Sequence, residues 1–214
     1  MSRVSEADQL LIQAAQEMLK HSGMSSMNLR DLAKKAGVNS GMFHYHFKTK
    51  ERFMRAVLQD LYEKFFKDFS LGVDQERTAL EKLRKALFKV GQFSRDNRKL
   101  ILSMLQDVLA QNKLVRDFFK DNSKRHGEVI LRLLGQCKKE GIVEKRPDLQ
   151  IACFLMTAIN APAMAIGIVE NVEKTLLVKL FLKHASSQIL SDKALRERVE
   201  MALRGVGVPE GNRT

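Results

Sequence analysis

The sequence predicts an all-α fold, with a small three-helix unit at the N-terminus and a larger helical body behind it. Three observations lead there: apolar residues recur at i, i+3, i+4 and i+7 through most of the chain, no useful length alternates at the strand period of two, and Ser, Asn, Gly and Pro punctuate the apolar runs. At 214 residues the chain can bury a sizeable core in one or two domains without disulfide staples.

The first helix starts at an S-x-x-D cap, Ser5 to Asp8, and carries Leu11, Ala14, Ala15, Met18 and Leu19 on one side before Gly23. That stripe is expected to roof the next two helices. Asn28 caps the second helix, with Asp31 three residues on, and Leu29, Leu32, Ala33 and Ala36 form its apolar face. Gly37 stops it, since glycine enters the left-handed conformation past a helix end without Cβ strain, and Val38 anchors the turn. Asn39 starts a third helix, whose first turns hold Ser40, Met42, His44 and Tyr45, while Phe43 and Phe47 are better placed to fill the core. Two short helices joined by a tight glycine turn form a helix-turn-helix, whose second helix can present side chains to base edges and phosphates.

A long helix is expected over Lys50–Phe69, with Phe53, Val57, Leu58, Leu61, Phe65 and Phe66 on its apolar side, followed by a loop over Leu71–Gln75. Further helices are expected near 76–94, 97–111 and 113–139, then a break over Gly141–Arg146 and a new start at Pro147. Ile151–Val169 contains no charged residue and is long enough to span a membrane. Thr157, Asn160 and Pro162 inside it, and the lack of a second span, favour a helix buried on both sides, which a body this small achieves by dimerising. Leu176–Leu190 offers a second interface helix, with Leu177, Leu180, Phe181 and Ala185 on one side; two such helices from each chain would make a four-helix interface. The glycine-rich tail Gly205–Thr214 is expected to fray.

No catalytic constellation is present: there is no phosphate-cradling glycine loop, no H-E-x-x-H and no nucleophile elbow. Enzymes are excluded on that ground, and no cofactor is expected. His44 and His46 lie two apart, on different faces of a helix and with no third ligand nearby, so no metal site is expected. Cys137 and Cys153 have neither metal-ligand nor CxxC spacing, which suits a reducing cytoplasm, and no apolar secretory run follows Arg3. The net charge of +12 favours a polyanionic partner, but Lys and Arg exceed Asp and Glu in every quarter of the chain, so charge does not locate the contact.

The segment Leu29–Phe47, LRDLAKKAGVNSGMFHYHF, running on into K-T-K-E, resembles the TetR family of one-component bacterial transcriptional regulators. The likeness is detailed over the first quarter of the chain and extends downstream only as helix order and length. It implies a DNA-binding domain over residues 1–50 and an effector-binding, dimerising domain over 51–214. It places Arg30 at a base-contacting position, Ser40, Gly41, Met42 and His44 at the exposed start of the recognition helix, and Tyr45, His46 and Lys50 against the phosphate backbone. Met42 stands where the family commonly has threonine and His44 where it commonly has tyrosine, both at positions that bear on the operator sequence.

The resemblance also implies a ligand cavity among the C-terminal helices, whose occupancy changes the spacing of the two DNA heads. Candidate lining residues are Phe93, Met104, Leu105, Phe118, Phe119, Met156 and Asn160, in a chain with ten methionines, twelve phenylalanines and no tryptophan. An amide such as Asn160 in an apolar helix needs a partner, because an uncompensated one costs about 1–3 kcal/mol. The expectation is therefore a cytoplasmic, homodimeric, sequence-specific DNA-binding regulator, a repressor released from a double-stranded operator by a small apolar effector. The alternative is an effector-free structural DNA binder of the same build, associated with the nucleoid or with cell division.

Overall fold

A computed structural model describes residues 5–19, 27–172 and 175–209, and its described residues form ten helices with no strand. They are α1 (Glu6–Leu19), α2 (Leu29–Ala36), α3 (Ser40–Phe47), α4 (Lys50–Asp74), α5 (Ala79–Asp96), α6 (Arg98–Leu109), α7 (Lys113–Lys139), α8 (Asp148–Val172), α9 (Leu176–Leu190) and α10 (Asp192–Arg204). The chain divides into two compact units, Met1–Phe65 with Asn97–Asn122, and Phe66–Asp96 with Ser123–Thr214. Helices α4 and α7 each contribute to both.

In the first unit, Leu11, Ala15 and Leu19 of α1 are buried with Leu32 of α2, Phe43 of α3, and Phe53 and Val57 of α4. The expected cap is formed: Ser5 N donates to Asp8 Oδ2 at 2.9 Å and Asp8 N to Ser5 Oγ at 3.2 Å, satisfying two of the helix's orphan amides. Farther along α4, Tyr62 Oη donates to the Asn122 carbonyl at 2.6 Å. Gln59 and the buried Asn122 exchange side-chain amide bonds, both at 3.1 Å, so the polar groups of this α4–α7 contact satisfy one another.

In the second unit, α5, α8 and α10 pack mutually, and α9 lies against α8 and α10. Gly91 of α5 sits at their convergence: a Cβ there would fall 2.6 Å from Leu195 Cδ1 of α10 and 2.8 Å from Ile159 Cγ2 of α8. The absent side chain lets three helix backbones approach.

Several elements depart from expectation. Helix α4 continues to Asp74 instead of yielding to a loop at Leu71, because Val73 is buried four residues after Phe69, and Gly72 packs under the aliphatic stems of Lys85 and Lys89. Helix α5 begins only at Ala79, where Thr78 and Glu81 form a reciprocal capping box. Helix α10 was not anticipated at all, although Ser191 Oγ caps it through Ala194 N at 3.2 Å and Leu195, Val199, Ala202 and Leu203 line its buried face.

The tail is a correction as well. Residues 205–209 are not frayed: Val206 and Val208 are buried, Glu144 N donates to the Val206 carbonyl at 3.0 Å, and Gly207 takes the left-handed turn at φ +99°. Residues 210–214 lie outside the described ones, as do residues 20–26, where α1 was expected to end at Gly23.

Helix α8, without charge over Ile151–Val169, divides cleanly. Ile151, Leu155, Ile159, Ala163 and Ile166 are buried in the body, whereas Phe154, Thr157, Ala161, Ala165 and Ile168 form an exposed stripe spaced three and four apart. Although α8 is long and apolar enough by composition to cross a membrane, one face is thus spent on the core. Of the apolar side expected on α9, Leu180 is exposed and Ala185 buried, and the side chains of Leu177 and Phe181 lie outside the described ones.

Candidate nucleic-acid interface

The interface is built from α2, its turn, and α3. Asn28, extended at φ −93° and ψ 127°, accepts the Arg30 amide on Oδ1 at 2.8 Å and so opens α2. At the other end Gly37 is left-handed at φ +66°, with Gly37 N donating to Lys34 O at 3.2 Å and Val38 N to Ala33 O at 3.1 Å. The chain therefore leaves α2 with its last carbonyls answered. Asn39 Oδ1 accepts the Gly41 amide at 2.9 Å and opens α3 at once.

Helix α3 is fixed from below by aromatic packing. Phe43 is buried, its ring centroid 5.1 Å from that of Phe53 and 5.9 Å from that of Phe47, and Phe47 lies 4.8 Å from Phe53. Anchoring at Phe43 and Phe47 leaves Tyr45 between them 82% exposed, and Gly41 is exposed near the start of the helix. Arg30 is exposed on α2 with no partner among the described residues. The side chains of Ser40, Met42 and His44 lie outside the described ones, although their backbones belong to α3.

The remaining two candidates face protein as well as solvent. His46 Nδ1 lies 3.0 Å from Asp8 Oδ1, with both side chains largely covered, and that carboxylate oxygen has no hydrogen-bond partner among the described residues. This contact brings α3 against the start of α1. Lys50 Nζ donates to the Met27 carbonyl at 2.8 Å, so one of its three donors clamps the residue just before Asn28.

The candidate effector residues divide between the units. Met104, Leu105, Phe118 and Phe119 belong to the first, where Phe118 packs edge-on against Tyr62, while Leu105 is 44% exposed. Phe93, Met156 and Asn160 belong to the second, on α5 and α8. Asn160 Nδ2 donates to the Met156 carbonyl at 2.7 Å, but its buried Oδ1 has no partner among the described residues. Two residues on, Pro162 cannot donate to the carbonyl of Ala158, so α8 is locally weakened at this point.

A cleft of about 790 Å³ opens in the second unit between α5 and α10, and it is charged: Arg84 Nε donates to Glu200 Oε1 at 2.8 Å, and Lys85, Glu81, Arg196 and Glu197 line it too. It does not match the apolar pocket expected from the phenylalanines and methionines. Burial pushes the Cys137 thiol up to about 11, which keeps it protonated and unreactive at neutral pH. Among the described residues no cluster of His, Cys, Asp and Glu could hold a metal.

A capped helix, a left-handed glycine turn and a second helix with a buried aromatic underside and an exposed outer face define a helix-turn-helix DNA-binding protein. The family model for bacterial regulatory proteins, tetR family, matches residues 11–57. The HTH-type transcriptional repressor KstR2 of Mycolicibacterium smegmatis is 30% identical over 151 residues, 69% of this chain and 71% of the relative. The chain belongs to the TetR family of bacterial transcriptional regulators. The nucleoid occlusion factor SlmA of Vibrio atlanticus is 27% identical over 143 residues, 65% of this chain and 73% of the relative. Among solved structures, FadR of Bacillus subtilis in complex with stearoyl-CoA superposes with a TM-score of 0.62 at 20% identity, covering 86% of this chain and 98% of that one.

Proposed function

We propose that the protein is a homodimeric repressor acting in the cytoplasm, holding its operator through heads formed by residues 1–50 and releasing it when a predominantly apolar effector binds in the body, residues 51–214. The carrying observation is the exposed face of α2 and α3, where the Arg30 and Tyr45 side chains are open to solvent above a packed aromatic base. In a dimer the two α3 helices would enter successive major grooves about 34 Å apart. Ser40, Gly41, Met42 and His44 would meet base edges, with Tyr45, His46 and Lys50 at the phosphates. Replacing Arg30 with Ala should lower operator affinity by about 1–3 kcal/mol and relax base preference at one position, read by footprinting and competition. Unchanged affinity and preference would remove Arg30 from the reading.

The effector half is supported by Asn160. A buried acceptor with no partner among the described residues can be answered by a donor on a ligand, a hydroxyl or N–H, with Phe93 and Met156 of the same unit as candidates for apolar area. Similarity to the transcriptional repressor KstR2 supports a repressor, and the likeness in fold to FadR, which carries stearoyl-CoA, supports a large apolar ligand. Thermal-shift screening of apolar metabolites, followed by DNA release, tests it. Asn160→Leu should leave operator binding within about twofold and abolish release, because the two sites are linked only through differential binding to two body states.

Similarity to SlmA favours the effector-free alternative. Sequencing the genomic fragments retained by the purified protein separates the two readings: a few palindromic sites support the repressor, and many scattered sites the structural role.

A further inference from the structure

Lys48, between α3 and α4, has φ +62°, in the left-handed region that glycine adopts freely and a side chain with a Cβ resists. Its neighbours impose that conformation. Phe47 is locked into the aromatic cluster with Phe43 and Phe53, and Thr49 Oγ1 accepts the Arg52 amide at 3.2 Å to cap α4. Thr49 N also donates to the Phe47 carbonyl at 2.7 Å, so the turn is made on the single residue between two anchored ones. The equivalent turn after α2 uses glycine, Gly37 at φ +66°. A lysine at the second turn is therefore conformationally less favourable than glycine would be.

That side chain is exposed and has no partner among the described residues. Lys50, by contrast, has its ammonium on the Met27 carbonyl at 2.8 Å. Of the two lysines flanking Thr49, Lys48 thus keeps all three ammonium donors for a polyanion while Lys50 spends one on protein, and the family resemblance points only to Lys50. Lys48 lies immediately after the recognition helix, which ends at Phe47.

We propose that Lys48 binds a DNA backbone phosphate, and that the strained left-handed turn is retained because a lysine is needed there. The inference rests on the DNA-binding reading of α2 and α3. A phosphate contact is sequence-independent and releases a counterion, so it is read as salt dependence on any duplex.

The test uses the full chain and a mixed-sequence duplex, titrated over a series of salt concentrations, with the variants Lys48→Gly and Lys48→Arg. For Lys48→Gly the expected results move in opposite directions: Tm holds or rises by up to about 2–4 °C as the turn relaxes, while affinity at physiological salt falls by about fivefold to tenfold. The slope of log affinity against log salt should flatten by about 0.9, one phosphate's worth, and Lys48→Arg should restore it. A residue that only makes the turn would show the Tm change with the slope intact, and that result overturns the proposal. A Tm that falls with the slope intact overturns it equally. If the wild type binds the duplex but Lys48→Gly binds identically, Lys48 alone is wrong; if the wild type binds no duplex at all, the DNA-binding reading fails with it.

Discussion

Replacing Ala161 with Asp is expected to turn the protein into a monomer by sedimentation at micromolar concentration and to lower operator affinity at least a hundredfold. Ala161 sits at the middle of the exposed α8 stripe between Thr157 and Ala165, with Phe154 and Ile168 at its ends. Small residues at the centre of an apolar stripe let a second helix approach closely, and a two-fold interface brings the same position of both copies near the axis. Two unpaired carboxylates would then be buried together, and each uncompensated charge costs several kcal/mol. The DNA effect follows because one head alone forfeits the effective concentration supplied by its partner, a factor of about 10²–10⁴. Ala161 is exposed in the single chain, so the variant should keep its helical content, and Ile168→Asp provides a second variant at the edge of the stripe. A persistent dimer in both variants would rule out α8 as the interface.

Gly91→Leu should be the most damaging single change within the body, lowering stability by roughly 3 kcal/mol, at the upper end for overpacking a core. The Cβ alone would meet Leu195 at 2.6 Å and Ile159 at 2.8 Å, and both of those side chains are buried, so neither can swing into solvent. In a chain of this length that corresponds to a fall in Tm of about 6–12 °C. Gly91→Ala separates two effects of opposite sign: alanine favours the helix by about 1 kcal/mol over glycine, while its methyl group enters the same contact. We expect the contact to prevail and Gly91→Ala to melt lower than wild type. A higher Tm would show that Leu195 and Ile159 have room to retreat.

What could be read in the sequence was local. The Asn28 cap, the Gly37 turn and the division of α3 into core positions at Phe43 and an exposed one at Tyr45 all follow from neighbours within a few residues, and the structure has them. Misreadings arose where a local signal had a tertiary meaning. Leu71–Gln75 reads as a loop, yet α4 runs through it and Gly72 is a notch filled by lysine stems from α5. Glycines after residue 204 looked like fraying, yet Gly207 is a helix stop that lays Val208 into the core. Helix α10 had a cap and an apolar face and was legible in principle from Ser191, Leu195 and Val199.

The candidate sites divide in the same way. Exposure of Tyr45 and Arg30 follows from helical phase, but the bond from Lys50 to Met27 spans 23 residues and has no signature in the local pattern. Nor does sequence reveal that Asn160 spends its amide nitrogen on its own helix and leaves the oxygen unanswered. The seven effector candidates were chosen for residue type, and type does not say which compact unit a residue belongs to.

The two compact units are interleaved along the chain, which passes from one to the other after Phe65, Asp96 and Asn122. A growing polypeptide cannot finish the first unit when the recognition helix emerges; it must wait until α6 and the first turns of α7 have left the ribosome, with α5 already made. Recombination meets the same constraint, since a crossover at residue 65 would transplant the DNA-reading helices without the α6 and α7 segments that complete their unit. Chimaeras with a new operator preference are thus better made by exchanging the few exposed side chains of α2 and α3 on an unbroken backbone than by splicing segments.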